Sequence, residues 1–221
     1  KILVSLFVFI VAAISKTFNE RPMLNRYIQG QRIYQRNGFD VSYVIKQSNT
    51  DSAEELLATV EVSPEMSPDE ISKVMKSAQD RLRTGGDNGL DSLMRFFGAF
   101  PRIVLRLVFR MIKLLDYYGK VPSFIRSELP FYCSVFISNL GSIGVDAPFH
   151  HLYELGTTSF FLAIGKPELK PVVNQKSGEI EVRKMVNLKF TIDERICDGY
   201  YLARSLDRFI KYVENPELLY K

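Results

Sequence analysis

The sequence has little cysteine, little histidine and little excess charge of either sign, and each shortage excludes a class of protein. Only Cys133 and Cys197 occur among 221 residues. Two thiols cannot build a disulfide framework, and they fit a reducing, cytosolic setting. The two histidines are neighbours, His150 and His151, which leaves too few ligands for a His-built metal site and gives no expectation of a metal. Lys and Arg total 29 against 25 Asp and Glu, a net charge of +4. An excess this small gives no reason to expect a nucleic-acid partner. No internal repeat and no Pro/Gly/Ser-rich linker interrupts the chain. The apolar share of 46% and charged share of 24% are those of a folded chain rather than a disordered one. One α/β domain over residues 1–221 is the simplest account.

Long apolar runs are also scarce. The one at residues 2–14 follows Lys1 and resembles a signal-peptide core, yet it falls short of the ~20 residues a membrane span needs. No small-residue cleavage site follows it. It continues through polar residues 15–21 and stops before Pro22, which reads as a buried helix surfacing at its end. The chain lacks an initiator Met and is expected to begin inside its domain.

Beyond this helix, residues 31–35 and 39–46 pattern as strands across the Asn37-Gly38 turn signal, and residues 56–62 as a third. Ser67-Pro-Asp-Glu70 opens a helix, with Pro at its first position and acids near its positive end; it runs to about Arg83 and stops at Gly85-Gly86. A basic helical stretch covers roughly 91–119. Strands are expected at 132–138, 159–164, 179–183 and 186–192, and a last helix at 199–213 before Asn215-Pro216.

Two segments carry chemistry. One is Phe136-Ile-Ser-Asn-Leu-Gly-Ser-Ile-Gly-Val145, followed after a loop by Ser159-Phe-Phe-Leu-Ala-Ile-Gly165. The other is Leu188-Lys-Phe-Thr-Ile-Asp-Glu-Arg-Ile-Cys-Asp-Gly199, followed by a helix and Glu214-Asn-Pro-Glu-Leu-Leu219. Together with the first helix and Pro22-Met-Leu-Asn25, these resemble the dihydrolipoamide acyltransferase core of 2-oxo-acid dehydrogenase complexes, a family that shares its fold with chloramphenicol acetyltransferase. The resemblance implies a two-layer α/β sandwich with a mixed sheet flanked by helices. Set against it, the chain starts after the family's opening strand and helix, and residues 84–130 read as a helical insertion. It also implies a homotrimer with sites between subunits, where a His takes the proton of a coenzyme A or dihydrolipoamide thiol that then attacks a thioester. Ser138 falls at the position of the oxyanion donor. Asp198 would orient its neighbours through Arg195, and Gly199 would permit the turn into the last helix.

The position of the catalytic His is Glu194. A thiol near pKa 8.5 lies ~2 units above an imidazole and ~4 above an ordinary Glu. The added ~2 units cost about 3 kcal/mol, or roughly a hundredfold in rate, where proton transfer limits. Burial that raises the Glu recovers much of this. Two readings of Glu194 therefore stand: a working base, or the partner of a cation in a retired site. The corresponding functions are acyl transfer between a coenzyme A or lipoyl thioester and an acceptor, and a non-catalytic scaffold.

Other residues have plainer readings. Cys197 sits beside an acid that raises its thiol pKa, so an inert buried Cys is preferred to a nucleophile. His150 and His151 either supply the missing base from another segment or line an interface. Gly141 and Gly144 are not placed for a dinucleotide site. No cofactor-binding set can be assigned. In the basic stretch, Arg102, Arg106, Arg110 and Lys113 fall on one helical stripe beside a wide apolar face, with Tyr117 and Tyr118 at the end. Packing on the core or on another subunit is the plainer reading; the other places residues 100–118 on an anionic membrane surface, making a cytoplasmic protein peripherally bound.

Overall fold

The computed structural model describes residues 4–46, 55–84, 98, 100–174 and 177–220. The early apolar run folds as helix α1 (Leu6–Glu20), whose N-cap Ser5 hydroxyl accepts from the Val8 N–H. Its residues from Ile10 to Ser15 are all buried, so it is a core helix that surfaces at Glu20. A 3-10 turn at Pro22–Asn25 leads into the hairpin β1 (Arg26–Gln29) and β2 (Arg32–Gln35). Next come β3 (Asp40–Lys46) and β4 (Glu55–Glu61), an antiparallel pair. Helix α2 (Pro68–Arg83) starts in a full capping box. The Ser67 hydroxyl accepts from the Glu70 N–H, and the Glu70 carboxylate accepts from the Ser67 N–H at 2.8 Å.

Helix α3 (Arg102–Tyr117) and one helical turn at Ser123–Arg126 occupy the stretch expected as an insertion. The stop at Gly85-Gly86 and positions 91–97 and 99 of the basic stretch lie outside the described residues. The chain then forms β5 (Val135–Asn139), β6 (Phe160–Ile164), the hairpin β7 (Glu168–Val173) and β8 (Ile180–Met185), β9 (Leu188–Ile192) and helix α4 (Gly199–Glu214).

The main sheet has five strands in the order β4-β3-β5-β6-β9. Its centre is parallel, β3 with β5 and β5 with β6, and its edges are antiparallel. The mixed sheet thus agrees with the expected fold class. Alternation along the strands gives each face its own core. Val41, Tyr43, Val135, Ile137, Phe160 and Leu162 pack with α1, α2 and α4 in the larger core. Phe136, Phe161, Ala163 and Cys133 turn to the other face, covered by Phe131, Leu152 and Tyr153.

Two strands differ from the sequence reading. Both β1 and β7 belong to two-stranded hairpins outside the main sheet, and β7 contains Pro171. β1 is half-buried throughout and β7 alternates only between half-buried and exposed, so neither places a fully buried face in the core. The strand expected from 132 begins at Val135, because Pro130–Tyr132 makes a 3-10 turn first.

The burial of α1 gives a direct prediction. Ile14→Ala removes a fully buried side chain and should cost about 2–5 kcal/mol, whereas Leu6→Ala, half-exposed at the helix start, should stay within about 0.5 kcal/mol. Urea denaturation of both variants checks this; equal losses would show that α1 is not seated in the core.

Candidate active site

Ser138 lies near the end of β5, opposite Ala163 of β6. Strand alternation sends Phe136 and Ser138 to the face away from the helices. The Ser138 side chain is half-buried, and among the described residues its hydroxyl has no hydrogen-bond partner, so it is free to donate. A 3-10 turn at Leu140–Ile143 follows, with the Ser142 hydroxyl donating to the Asn139 carbonyl at 2.7 Å. Here the two glycine-bearing motifs meet. A Cβ on Gly141 would overlap the Gly165 carbonyl, and one on Gly165 would overlap the Asp146 carboxylate. Glycine at both positions lets the turn after β5 close onto the end of β6.

The second motif forms a tight turn between β9 and α4. The Asp193 N–H donates to the Ser159 carbonyl at 3.0 Å, which ties the turn to the start of β6. Arg195 clamps it from the other side, giving Asp193 its backbone N–H at 3.1 Å, its Nε at 2.8 Å and a terminal nitrogen at 2.6 Å. Burial alone would raise the Asp193 carboxyl, but the hydrogen bonds and charge of Arg195 outweigh it and hold the group below the usual carboxylate range. Ile196 and Cys197 point into the core, while Glu194 projects from the crest of the turn, exposed and without an ion-pair partner among the described residues.

This geometry corrects three expectations. Arg195 is held by Asp193, not by Asp198. The Asp198 carboxylate is the N-cap of α4, accepting from the Tyr201 N–H at 2.8 Å. Gly199 takes the first helical position without a left-handed φ, and a Cβ there would meet nothing within 4 Å. Its conformational freedom is therefore not required. The cation-partner reading of Glu194 through Arg195 also fails within the chain. Cys197 behaves as expected: burial first, and then Asp198, push its thiol up, away from nucleophilic character.

The sheet register separates the two candidate groups. Ser138 is level with Ala163, and Ala163 with Lys189; Ile192 pairs with Phe160, three residues further along. From Ser138 to Ile192 is thus about 10 Å across the sheet and about 10 Å along it, with two more residues to reach Glu194. Ser138 and Glu194 stand at opposite ends of one sheet and cannot act on the same carbonyl within one chain. Exposed apolar side chains follow Ser138 in the chain: Ile143, Val145 and Phe149, the last 89% exposed with the Lys189 ammonium 4.2 Å above its ring.

His150 was not separable from His151 in the sequence. The structure stacks the His150 ring on Phe161 at 3.9 Å, on the sheet face that carries Ser138, and leaves His151 exposed. Beside the 193–199 turn is a cavity of about 350 Å³, walled by Asp193 and Arg195, by Tyr153, and by Lys113, Asp116 and Tyr117 of α3. The part of α3 in this wall was not foreseen, since nothing local in the sequence links it to the turn. Among the described residues no three His, Cys, Asp or Glu side chains gather closely enough to hold a metal.

Residues 133–220 match the family model of the 2-oxoacid dehydrogenases acyltransferase catalytic domain. A probable dihydrolipoamide acetyltransferase from Listeria monocytogenes superposes over 96% of this chain and 70% of its own, with a TM-score of 0.65 and 18% identity. The cubic core of a pyruvate dehydrogenase multienzyme complex aligns over 98% and 71%, at TM-score 0.58 and 14% identity. A dihydrolipoamide acetyltransferase of Azotobacter vinelandii, whose structure addresses the role of a serine, a histidine and an asparagine in its catalytic mechanism, gives the same figures. No curated protein sequence matches. The chain therefore has the α/β fold of the dihydrolipoamide acyltransferase core, as its motifs implied.

The clamp on the turn can be tested by titration. In Arg195→Gln the guanidinium's hydrogen bonds and charge are gone, leaving burial opposed by the backbone N–H of residue 195, so Asp193 should titrate above its value in the unchanged protein. Carboxyl chemical shifts followed against pH read the change directly; a carboxyl as depressed in the variant as in the unchanged protein would mean that the Arg195 side chain does not hold it. In the unchanged protein the depressed group contributes stability above the unfolded carboxylate pKa, near 3.9, and that contribution is lost as pH falls through the lower folded value.

Proposed function

We propose that the protein is an acyltransferase moving an acyl group between a thioester of the coenzyme A or lipoamide type and an acceptor thiol, at sites formed between copies of the chain in a homotrimer. The observation that carries this reading is the separation of Ser138 from Glu194 across the sheet, with Ser138 half-buried, Glu194 exposed and neither side chain hydrogen-bonded or ion-paired among the described residues. The apolar side chains at Ile143, Val145 and Phe149 supply surface for a second copy to bury. The histidine and asparagine named for the Azotobacter vinelandii enzyme are four residues apart, the separation of Glu194 and Asp198 here. Two buried free cysteines, Cys133 and Cys197, accord with a reducing, cytoplasmic setting.

In this reading Glu194 of one copy takes the proton from the acceptor thiol. The thiolate sulfur attacks the thioester carbonyl carbon, and the carbonyl oxygen, now an oxyanion, accepts a hydrogen bond from Ser138 of the next copy. The tetrahedral intermediate collapses, the C–S bond to the first thiol breaks, and the departing sulfur regains the proton from Glu194. Asp193 and Arg195 position the carboxylate by fixing the turn, and Asp198 fixes the start of α4 behind it. A Glu in water would serve poorly, so the mechanism needs the second copy to bury Glu194 in less polar surroundings. Its exposure in one chain is also the observation that favours the rival reading, a non-catalytic scaffold on the same fold.

Thioester exchange with coenzyme A, measured across pH, tests this. Glu194→Gln should lower turnover about 100-fold or more with the fold intact. Ser138→Ala should lower kcat with little change in KM, and His150→Gln should leave the rate unchanged. Full activity in Glu194→Gln would exclude it as the base, and loss confined to His150→Gln would move that role to the imidazole. No wild-type turnover with several short acyl thioesters would favour the scaffold.

A further inference from the structure

Helix α3 is pinned at one end. The Asp116 carboxylate accepts from the Tyr132 hydroxyl at 2.7 Å and the Gly156 N–H at 3.0 Å, and the Asp116 carbonyl accepts from the Gln29 side chain at 3.1 Å. One stripe of the helix packs against the body: Ile112 is buried, with Leu105, Val108 and Leu115 half-buried. Packing on the core therefore holds for this stripe.

A second apolar stripe faces outward. Ile103, Leu107, Met111 and Leu114 are 80, 68, 55 and 58% exposed. Arg102, Arg106, Arg110 and Lys113 follow the same spacing one residue earlier, so their stripe runs alongside, about 100° around the helix. The outward half of α3 is thus divided lengthwise into an apolar band and a basic band. Lys113 pairs with the exposed Glu154, but the three arginines have no acidic partner among the described residues. Exposed Tyr118 and Phe124 follow in the chain.

We propose that this face of α3 is a docking surface for an anionic lipid membrane, the apolar band entering the headgroup boundary while the arginines meet lipid phosphates. At 16 residues the helix is about 24 Å long, and among the described residues no helix is long and apolar enough to cross a membrane. Its band of apolar side chains beside a band of cations is the pattern of a helix that lies in the interface plane. Charge complementarity decides the partner. A second copy docked on the same face would bring its own basic band against this one, whereas an anionic surface attracts each arginine. The C-terminal end of the same helix supplies Lys113, Asp116 and Tyr117 to the cavity beside the Glu194 turn, so docking would hold that cavity at the lipid boundary.

Flotation of the full chain with vesicles tests this independently of any acyl-transfer activity. The protein should float with phosphatidylcholine vesicles containing phosphatidylglycerol at low salt, and not with phosphatidylcholine alone. Binding should weaken in high salt, where exposed charges are screened. The triple change Arg102→Gln, Arg106→Gln and Arg110→Gln should lower partitioning roughly 100-fold. Ile103→Ser with Leu107→Ser and Leu114→Ser, all exposed, should lower it at unchanged circular dichroism and melting temperature. Failure to float on anionic vesicles, or equal flotation of wild type and both variants, overturns the proposal. So does a wild type that ignores vesicles but whose assembly becomes smaller in the serine variant, since the face would then join copies of the chain.

Discussion

The direction of three strands governs what this chain can do. β6 lies between a parallel neighbour, β5, and an antiparallel one, β9. Hydrogen bonding fixes both registers, and a slip of one residue would turn the buried Phe160, Leu162 and Ile164 out of the larger core. The same pairing fixes where the two chemically suggestive motifs end. β5 delivers Ser138 to one end of the sheet, and β9 delivers the 193–199 turn to the other. No side-chain motion spans that gap, because the sheet between is a packed core rather than a hinge. A site using both groups requires two chains.

The local structure around each group supports such an arrangement. Gly141 and Gly165 let the turn after β5 close against the end of β6, so the turn that follows Ser138 packs on the neighbouring strand. At the other end, Asp193 accepts three bonds from Arg195, Asp198 caps α4, and Ile196 and Cys197 anchor the turn in the core. Glu194 is the residue this framework leaves outward. A carboxylate held on a rigid crest without a cation is costly only once it is buried, so its charge and its usefulness as a base both depend on what covers it.

Much of the fold was legible because burial writes a period into sequence. The largely apolar α1, the capping box of α2 and the Val-, Ile- and Phe-rich runs of β3, β5 and β6 each pointed to the observed element. The hairpin strands β1 and β7 were not legible, since neither places a fully buried face in the core, and the second carries Pro171, an unusual strand residue. In the site, it was the resemblance to the acyltransferase family that singled out Ser138 and Glu194. The partner of Arg195 did not. Asp193 and Asp198 are two and three residues away, and only the backbone of the turn decides between them. The role of α3 was half-visible: its basic and apolar spacing can be read along the chain, but which stripe packs inward depends on the anchor from Asp116 to Tyr132 and Gly156, which are distant in sequence.

The claim that the site forms between copies is tested most directly by mixing two disabled variants. Ser138→Ala and Glu194→Gln chains, unfolded together and refolded into mixed assemblies, would place an intact Ser138 opposite an intact Glu194 at some of their interfaces. The account predicts thioester exchange well above that of either variant refolded alone. Mixed assemblies no more active than the two separate variants would contradict it.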